Sequence, residues 1–384
     1  MTTTETIRLS QPRDLIALIP YRLGFHPAES AVLVAVSVTP DGRKEVGLVA
    51  RMDLADLASP LSGGEAAAVL AGHVAAQQPE DLHLVLYTKE EDDRVLHDVV
   101  DHLADALDEA LWPLAPDLDP WRVGPRGWGH LDTCDCCPPA GHPLELLTAS
   151  PAAAAMVTAG RAAAGDRSQL AVVRTRDGDA LATAFAAAEA ERERLREVRR
   201  ACGGAPLVRG AAFGVPGARP ARDQEPLRRW REQGARLWDA AVATGPGQRS
   251  RTAPEVLGRL LVVLGDKVVR DAVVAATMEA AEGRTGDYLD PGTVVRAFET
   301  EVAPDAEMVG RATALAQTVA AHAEPGGGGP ALGALAYLAW WGNEGARADV
   351  VARQALQEEP GHRLAELVVA ALEAGMPPAW VRTP

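Results

Sequence analysis

The chain has 384 residues, 47% of them hydrophobic, enough for a substantial core and more than one domain. Its 53 acidic residues outweigh 38 basic ones, and a net charge of -15 argues against a nucleic-acid binder, which needs a basic footprint on phosphate. Only Lys44, Lys89 and Lys267 among the basic residues are lysine, a skew that reads, with abundant Ala, Gly and Pro, as genome composition rather than function.

The opening "MTTTETIRLS" has no basic stretch followed by an apolar one, so no signal peptide is expected. No apolar run approaches the ~20 residues that span a bilayer. Of four cysteines, Cys134, Cys136 and Cys137 cluster and Cys202 stands alone, whereas a secreted disulfide framework would distribute them. These features together predict a cytoplasmic protein with no membrane segment.

Residues 11–19 predict a short helix, with Ser10 as N-cap, Pro12 tolerated in the first turn and Pro20 as the stop. "SAVLVAVSV" (30–38) is β-branched and apolar on both faces, the pattern of a central strand covered on both sides. The Asp41-Gly42 turn returns the chain through 45–52 as its hairpin partner. Ser62-x-x-Glu65 has the spacing of a capping box opening a helix at 63–77. "DLHLVLYT" (81–88) is a strand with Leu82, Leu84 and Leu86 on one face and His83, Val85 and Tyr87 on the other. Thr88-x-x-Glu91 then caps a helix whose Leu96, Val99, Val100, Leu103, Leu107 and Leu111 keep helical spacing.

A second hairpin is expected around Pro125-Arg126-Gly127, then an Ala-rich region ending in the charge-laced helix "AEAERERLREVRR". Residues 202–226, rich in Gly, Pro and Arg without hydrophobic period, read as the linker between domains 1–201 and 227–384. Beyond it every segment reads as helical, ending in three helices that resemble a tetratricopeptide unit in their Ala and Leu spacing. They are too few to bury a solenoid core. The predicted fold is a mixed three-layer α/β domain followed by an all-α domain of helical hairpins.

"LIALIPYRLGFHPAESAVLVAV" and "LAYLAWWGNEGARADVVARQALQEEPGHRLAELVVAALEAG" together resemble an actinobacterial family, the domain of unknown function numbered forty-one ninety-two. "CCPPAGHPL" is similar to its Cys-Cys-Pro-x-x-Gly segment and "DKVVRDAVV" to its Arg-Asp helix. The resemblance implies no activity, and so assigns no catalytic residue.

Two constellations carry chemistry. The first is "PYRLGFHPAES" (20–30). If 30–38 is antiparallel to 45–52, a right-handed crossover through 63–77 leaves 81–88 running parallel to 45–52. Tyr21, Arg22, His26, Glu29 and Ser30 then share one sheet edge with Arg51, Asp53 and Thr88, where open α/β sheets bind ligands. The edge has two readings: a crevice for a small anionic ligand or peptide, or a connector whose polar groups only satisfy loop amides. An enzyme would use His26 with Ser30 or Glu29 as base and nucleophile. Neither GxGxxG nor GxxxxGK[ST] occurs, so no nucleotide or other cofactor is expected.

The second constellation is His130, Cys134, Cys136, Cys137 and His142. These are zinc-type ligands, but adjacent Cys136 and Cys137 are expected to project apart, and no second Cys-x-x-Cys pair closes a tetrahedron. The spacing therefore predicts thiols without metal, and only secondarily a metal or redox site. Trp340-Trp341 predicts interhelix packing and Arg270-Asp271 a local ion pair. The leading functional expectation is a non-catalytic regulatory protein binding a protein through its helical domain or an anion at the sheet edge.

Overall fold

The computed structural model describes residues 11–38, 42–89, 93–112, 118–132, 134–202, 224–243, 252–279 and 284–382. Ser10, Asp41, Glu91 and most of the expected linker lie outside them. The chain divides between Gln169 and Leu170 into two compact units.

The first unit contains α1 (Pro12–Leu23), β1 (Ser30–Val38), β2 (Lys44–Asp53), α2 (Leu54–Leu57), α3 (Gly63–Ala75), β3 (Asp81–Tyr87) and α4 (Asp93–Leu111). β4 (Pro120–Gly124), β5 (Gly127–His130), α5 (Glu145–Thr148) and α6 (Pro151–Thr158) complete it. The five strands form one sheet in the order β2-β1-β3-β4-β5. β1 is antiparallel to both neighbours, so β2 and β3 run the same way with β1 between them. β3 and β4 are parallel, and β4 and β5 form the hairpin expected at Pro125-Arg126.

Alternation sorts the side chains into two layers. Ala31, Leu33, Ala35, Leu82, Leu84 and Leu86 face α2, α3 and α4. Val32, Val34, Val85, Tyr87, Trp121 and Trp128 face α1 and the α5 region. The stripe on α4 (Leu96, Val99, Leu103, Leu107) is no more than 1% exposed, and each such side chain contributes about 1.5–3 kcal/mol. This is the three-layer α/β arrangement that the doubly apolar strand predicts.

α1 runs through Pro20 and ends at Gly24, one turn beyond the expected stop. A proline removes the amide that would bond the carbonyl four residues earlier, here that of Ile16. The Tyr87 hydroxyl donates to the Ile16 oxygen at 3.4 Å and so replaces the lost partner. Burial raises the Tyr87 pKa, which keeps that donor protonated. Gly24 closes the helix with φ 82°, a left-handed conformation cheap only for glycine. At α3 the start falls where the Ser-x-x-Glu spacing places it, but the Ser62 hydroxyl donates to Ser59 Oγ at 2.8 Å and makes no cap bond.

The second unit is helical: α7 (Gly178–Ala201), α8 (Glu225–Val242), α9 (Pro254–Leu264), α10 (Lys267–Met278), α11 (Pro291–Phe298) and α12 (Ala306–Ala321). α13 (Gly329–Trp341), α14 (Gly345–Glu358), α15 (Arg363–Glu373) and α16 (Ala379–Arg382) follow. α7 departs from the expected domain 1–201, because the charge-laced helix is a core element of the second unit. Ala188 and Leu195 pack with Trp230, Leu257 and Leu260. Alternating charges marked one solvated face of α7, and its sparse Ala and Leu on the other face carried too little hydrophobic signal to reveal the packing. α13, α14 and α15 form the expected run of hairpins, with Trp341 2% exposed in the core.

Candidate functional site

The expected strand-end edge forms. Register pairs Ser30 with Asp53 on one side and Tyr87 on the other. The preceding loop is tied to the segment after α6. The His26 amide donates to the Ala164 carbonyl at 2.9 Å, and the Ala164 amide to that of Gly24 at 2.8 Å. Phe25 between them is 2% exposed.

Glu29 sits at φ 45°, a left-handed conformation that costs an L-residue roughly 1–2 kcal/mol. Three hydrogen bonds hold it there. Its carbonyl accepts from the Leu54 amide at 3.0 Å, and its carboxylate accepts from the Lys89 amide at 2.9 Å and Thr88 Oγ1 at 3.3 Å. Ser30, fully buried, donates to the Ala28 carbonyl at 2.7 Å and accepts from Arg51 Nε at 2.8 Å. Arg51 Nη2 pairs in turn with Asp53.

The structure therefore brings Glu29, Ser30, Arg51, Asp53 and Thr88 into one network and leaves His26 out of it. His26 is exposed, and its imidazole has no hydrogen-bond partner among the described residues. Tyr21 is half-buried, and Arg22 Nη2 donates to the Gly47 carbonyl at 2.9 Å, beside the β1–β2 bulge. Sequence reasoning missed Arg161. It lies close enough to Arg22 for its charge, after desolvation, to lower the Arg22 pKa. Only the tertiary return of the 159–165 segment beside α1 reveals it.

The second constellation lies after β5. The backbone there turns and comes back along the strand: Trp128 and His142 exchange amide hydrogen bonds of 3.0 and 2.7 Å. His130, Cys134, Cys136 and Cys137 place their ligand atoms within 4.8 Å of one another. Cys134 and Cys136 are joined as a disulfide with Cα atoms 5.4 Å apart, and Cys137 is a free thiol. Consecutive Cys136 and Cys137 hold their sulfurs 3.7 Å apart, because the chain is in a turn and not extended. The fifth candidate, His142, lies outside the cluster and stacks on Trp128 with ring centroids 4.6 Å apart. Asp119, which sequence reasoning overlooked, holds His130 Nδ1 at 2.7 Å.

A family model described as a domain of unknown function (DUF4192) matches residues 12–379. The chain belongs to this family. No curated protein and no solved structure matches it.

The DUF4192 match runs from the start of α1 to the start of α16, so it takes in both constellations and the helical unit. In that unit polar side chains lie between helices. Glu191, 6% exposed, accepts from Trp230 Nε1 at 2.6 Å and Arg259 Nε at 3.0 Å. Arg270 is buried and bonds the Asp271 carboxylate at 2.7 and 3.0 Å, the ion pair expected there. An open cleft of about 360 Å³ between α7 and α8 is lined by Arg194 and Arg229, but their guanidinium groups are taken by Gln233 and Glu225. Among the described residues no helix is long and apolar enough to cross a membrane.

Proposed function

We propose that the protein is a non-catalytic, cytoplasmic binding protein whose strand-end edge takes a small anion. One observation carries this reading: the groups an enzyme would need there are already engaged. Ser30 Oγ sits between a carbonyl and a guanidinium, with no base to activate it. The Glu29 carboxylate is occupied by an amide and a hydroxyl. Exposed on α1, on the loop before β1 and on the segment tied to that loop are Arg22, His26 and Arg161, with one Arg22 nitrogen donating to the Gly47 carbonyl. Two like charges near one another are relieved by an anion, and arginine suits carboxylate or phosphate oxygens.

Calorimetric titration with inorganic phosphate and with citrate tests the reading. Saturable binding of either, weakened about tenfold or more in Arg161→Ala, is the expected result. Turnover of a p-nitrophenyl ester that disappears in His26→Ala and in Ser30→Ala would replace it with a hydrolase.

A further inference from the structure

We propose that the reduced protein binds one zinc ion through His130, Cys134, Cys136 and Cys137, and that the Cys134–Cys136 disulfide is the oxidised, metal-free state of the same cluster. This stands apart from the anion edge and does not depend on it. Four donors from one short segment, three of them sulfur, converge within 4.8 Å. Thiolate and imidazole select zinc over the hard cations magnesium and calcium. In a tetrahedral site with Zn–S near 2.3 Å, neighbouring sulfurs lie about 3.8 Å apart. Cys136 and Cys137 are already 3.7 Å apart.

The surroundings suit a metal. Asp119 Oδ1 lies 2.7 Å from His130 Nδ1, which fixes the tautomer and leaves Nε2 as the donor, as carboxylates do behind metal-bound histidines. The imidazole is held against Trp121, with ring centroids 3.8 Å apart. The His130 amide donates to Cys137 Sγ at 3.5 Å, which orients that sulfur toward the cluster. With four protein ligands the coordination sphere is closed, the mark of a structural site and not a catalytic one. Its place is consistent with that role. β5 is an edge strand, and the loop that carries the cysteines returns to cover it at Trp128.

Oxidation would switch the site. Two zinc-bound thiolates, those of Cys134 and Cys136, give two electrons to a hydroperoxide and join as a disulfide. With two protons, hydrogen peroxide leaves as two waters, and zinc departs with its charge unchanged. Two of four ligands are then gone, and affinity falls with them.

The test uses the full chain, reduced with a phosphine under anaerobic conditions, loaded with zinc or cobalt and dialysed. About one metal per chain is expected. Cobalt should give the intense visible bands of tetrahedral coordination together with thiolate-to-metal charge transfer. Cys137→Ser and His130→Ala should each weaken binding at least tenfold, while His142→Ala keeps the metal. Peroxide should release one zinc for each disulfide formed. A reduced parent that takes up no metal, or a Cys134→Ser/Cys136→Ser/Cys137→Ser variant that keeps one per chain, would overturn the proposal. If the variants do not fold, the parent decides: weak octahedral cobalt bands without charge transfer overturn it equally.

Discussion

In the α/β unit the polar side chains gather at strand ends, where Glu29, Ser30, Arg51 and Thr88 fasten one loop to its neighbours. In the helical unit they lie between helices, where Glu191 joins α7 to α8 and α9, and where Arg270 of α10 meets His362 at the start of α15. A strand-end loop can shift and let water reach an orphaned group. A helix interface cannot do so without parting two helices. The same hydrogen bond should therefore matter more in the second unit, and a graded set of substitutions can break or sharpen that contrast.

The largest loss is expected for Glu191→Ala. It strands the Trp230 indole N–H, on a side chain 2% exposed, and removes the partner of Arg259. A loss of about 3 kcal/mol in chemical denaturation is expected. Gly258→Ala should follow at about 2–3 kcal/mol, the upper part of the range of about 1–3 kcal/mol for overpacking. A Cβ there would lie 2.0 Å from the Ala184 carbonyl oxygen, so α7 and α9 would have to separate. If either variant melts like the parent, the helical interfaces are more plastic than this packing allows.

Glu29 measures the other side of the contrast. Glu29→Ala should cost about 1–2 kcal/mol, because the Lys89 amide and Thr88 hydroxyl lose their acceptor where water can partly replace it. Glu29→Gly removes the same carboxylate but adopts φ 45° freely, so it should recover up to about 1 kcal/mol of that loss. Equal costs for the two variants would mean that the left-handed backbone carries no strain.

His362 gives a pH-dependent test of the helical side. Its Nδ1 accepts from the Ala365 amide at 3.3 Å as the cap of α15, while Nε2 faces Arg270 Nη1 at 3.4 Å. Burial and the Arg270 charge lower its pKa below the ordinary 6.5. The unfolded chain therefore binds a proton that the folded chain resists. That contribution to stability is full above about pH 6.5 and is lost progressively as pH falls from there through the lower folded pKa. His362→Asn keeps a capping oxygen and has no titration, so its stability should change less than the parent's between pH 7 and 5. A parallel decline would assign the acid sensitivity to other groups.

The parts of the fold legible in the sequence were those written as repeating patterns. "SAVLVAVSV" marked β1 to the residue because both faces are apolar, and its hairpin and crossover placed the strand-end edge correctly. What stayed hidden depended on single contacts across the fold. Pro20 stops a helix unless something takes the Ile16 carbonyl, and nothing near it in sequence announces that Tyr87 does. The Cys136-Cys137 pair looked divergent because spacing says nothing about a turn. Strand position brought Glu29, Ser30, Arg51, Asp53 and Thr88 together as expected but not Tyr21 or Arg22, and that Glu29 and Ser30 turn inward while His26 faces out follows from the backbone of one loop.

His26 is where the smallest effect carries the most information. The imidazole is exposed and bonds nothing among the described residues, while its backbone amide, which a substitution leaves intact, holds Ala164 at 2.9 Å. Surface substitutions of this kind change stability by less than about 0.5 kcal/mol. His26→Ala should therefore denature within that margin of the parent, well short of Glu29→Ala a few residues away. If the edge binds an anion, the same variant should bind phosphate or citrate more weakly with its folding untouched. A loss of about 1–3 kcal/mol would instead mean that the side chain buttresses the loop, since that is the cost of stranding buried donors or acceptors. "PYRLGFHPAES" would then be a connector throughout.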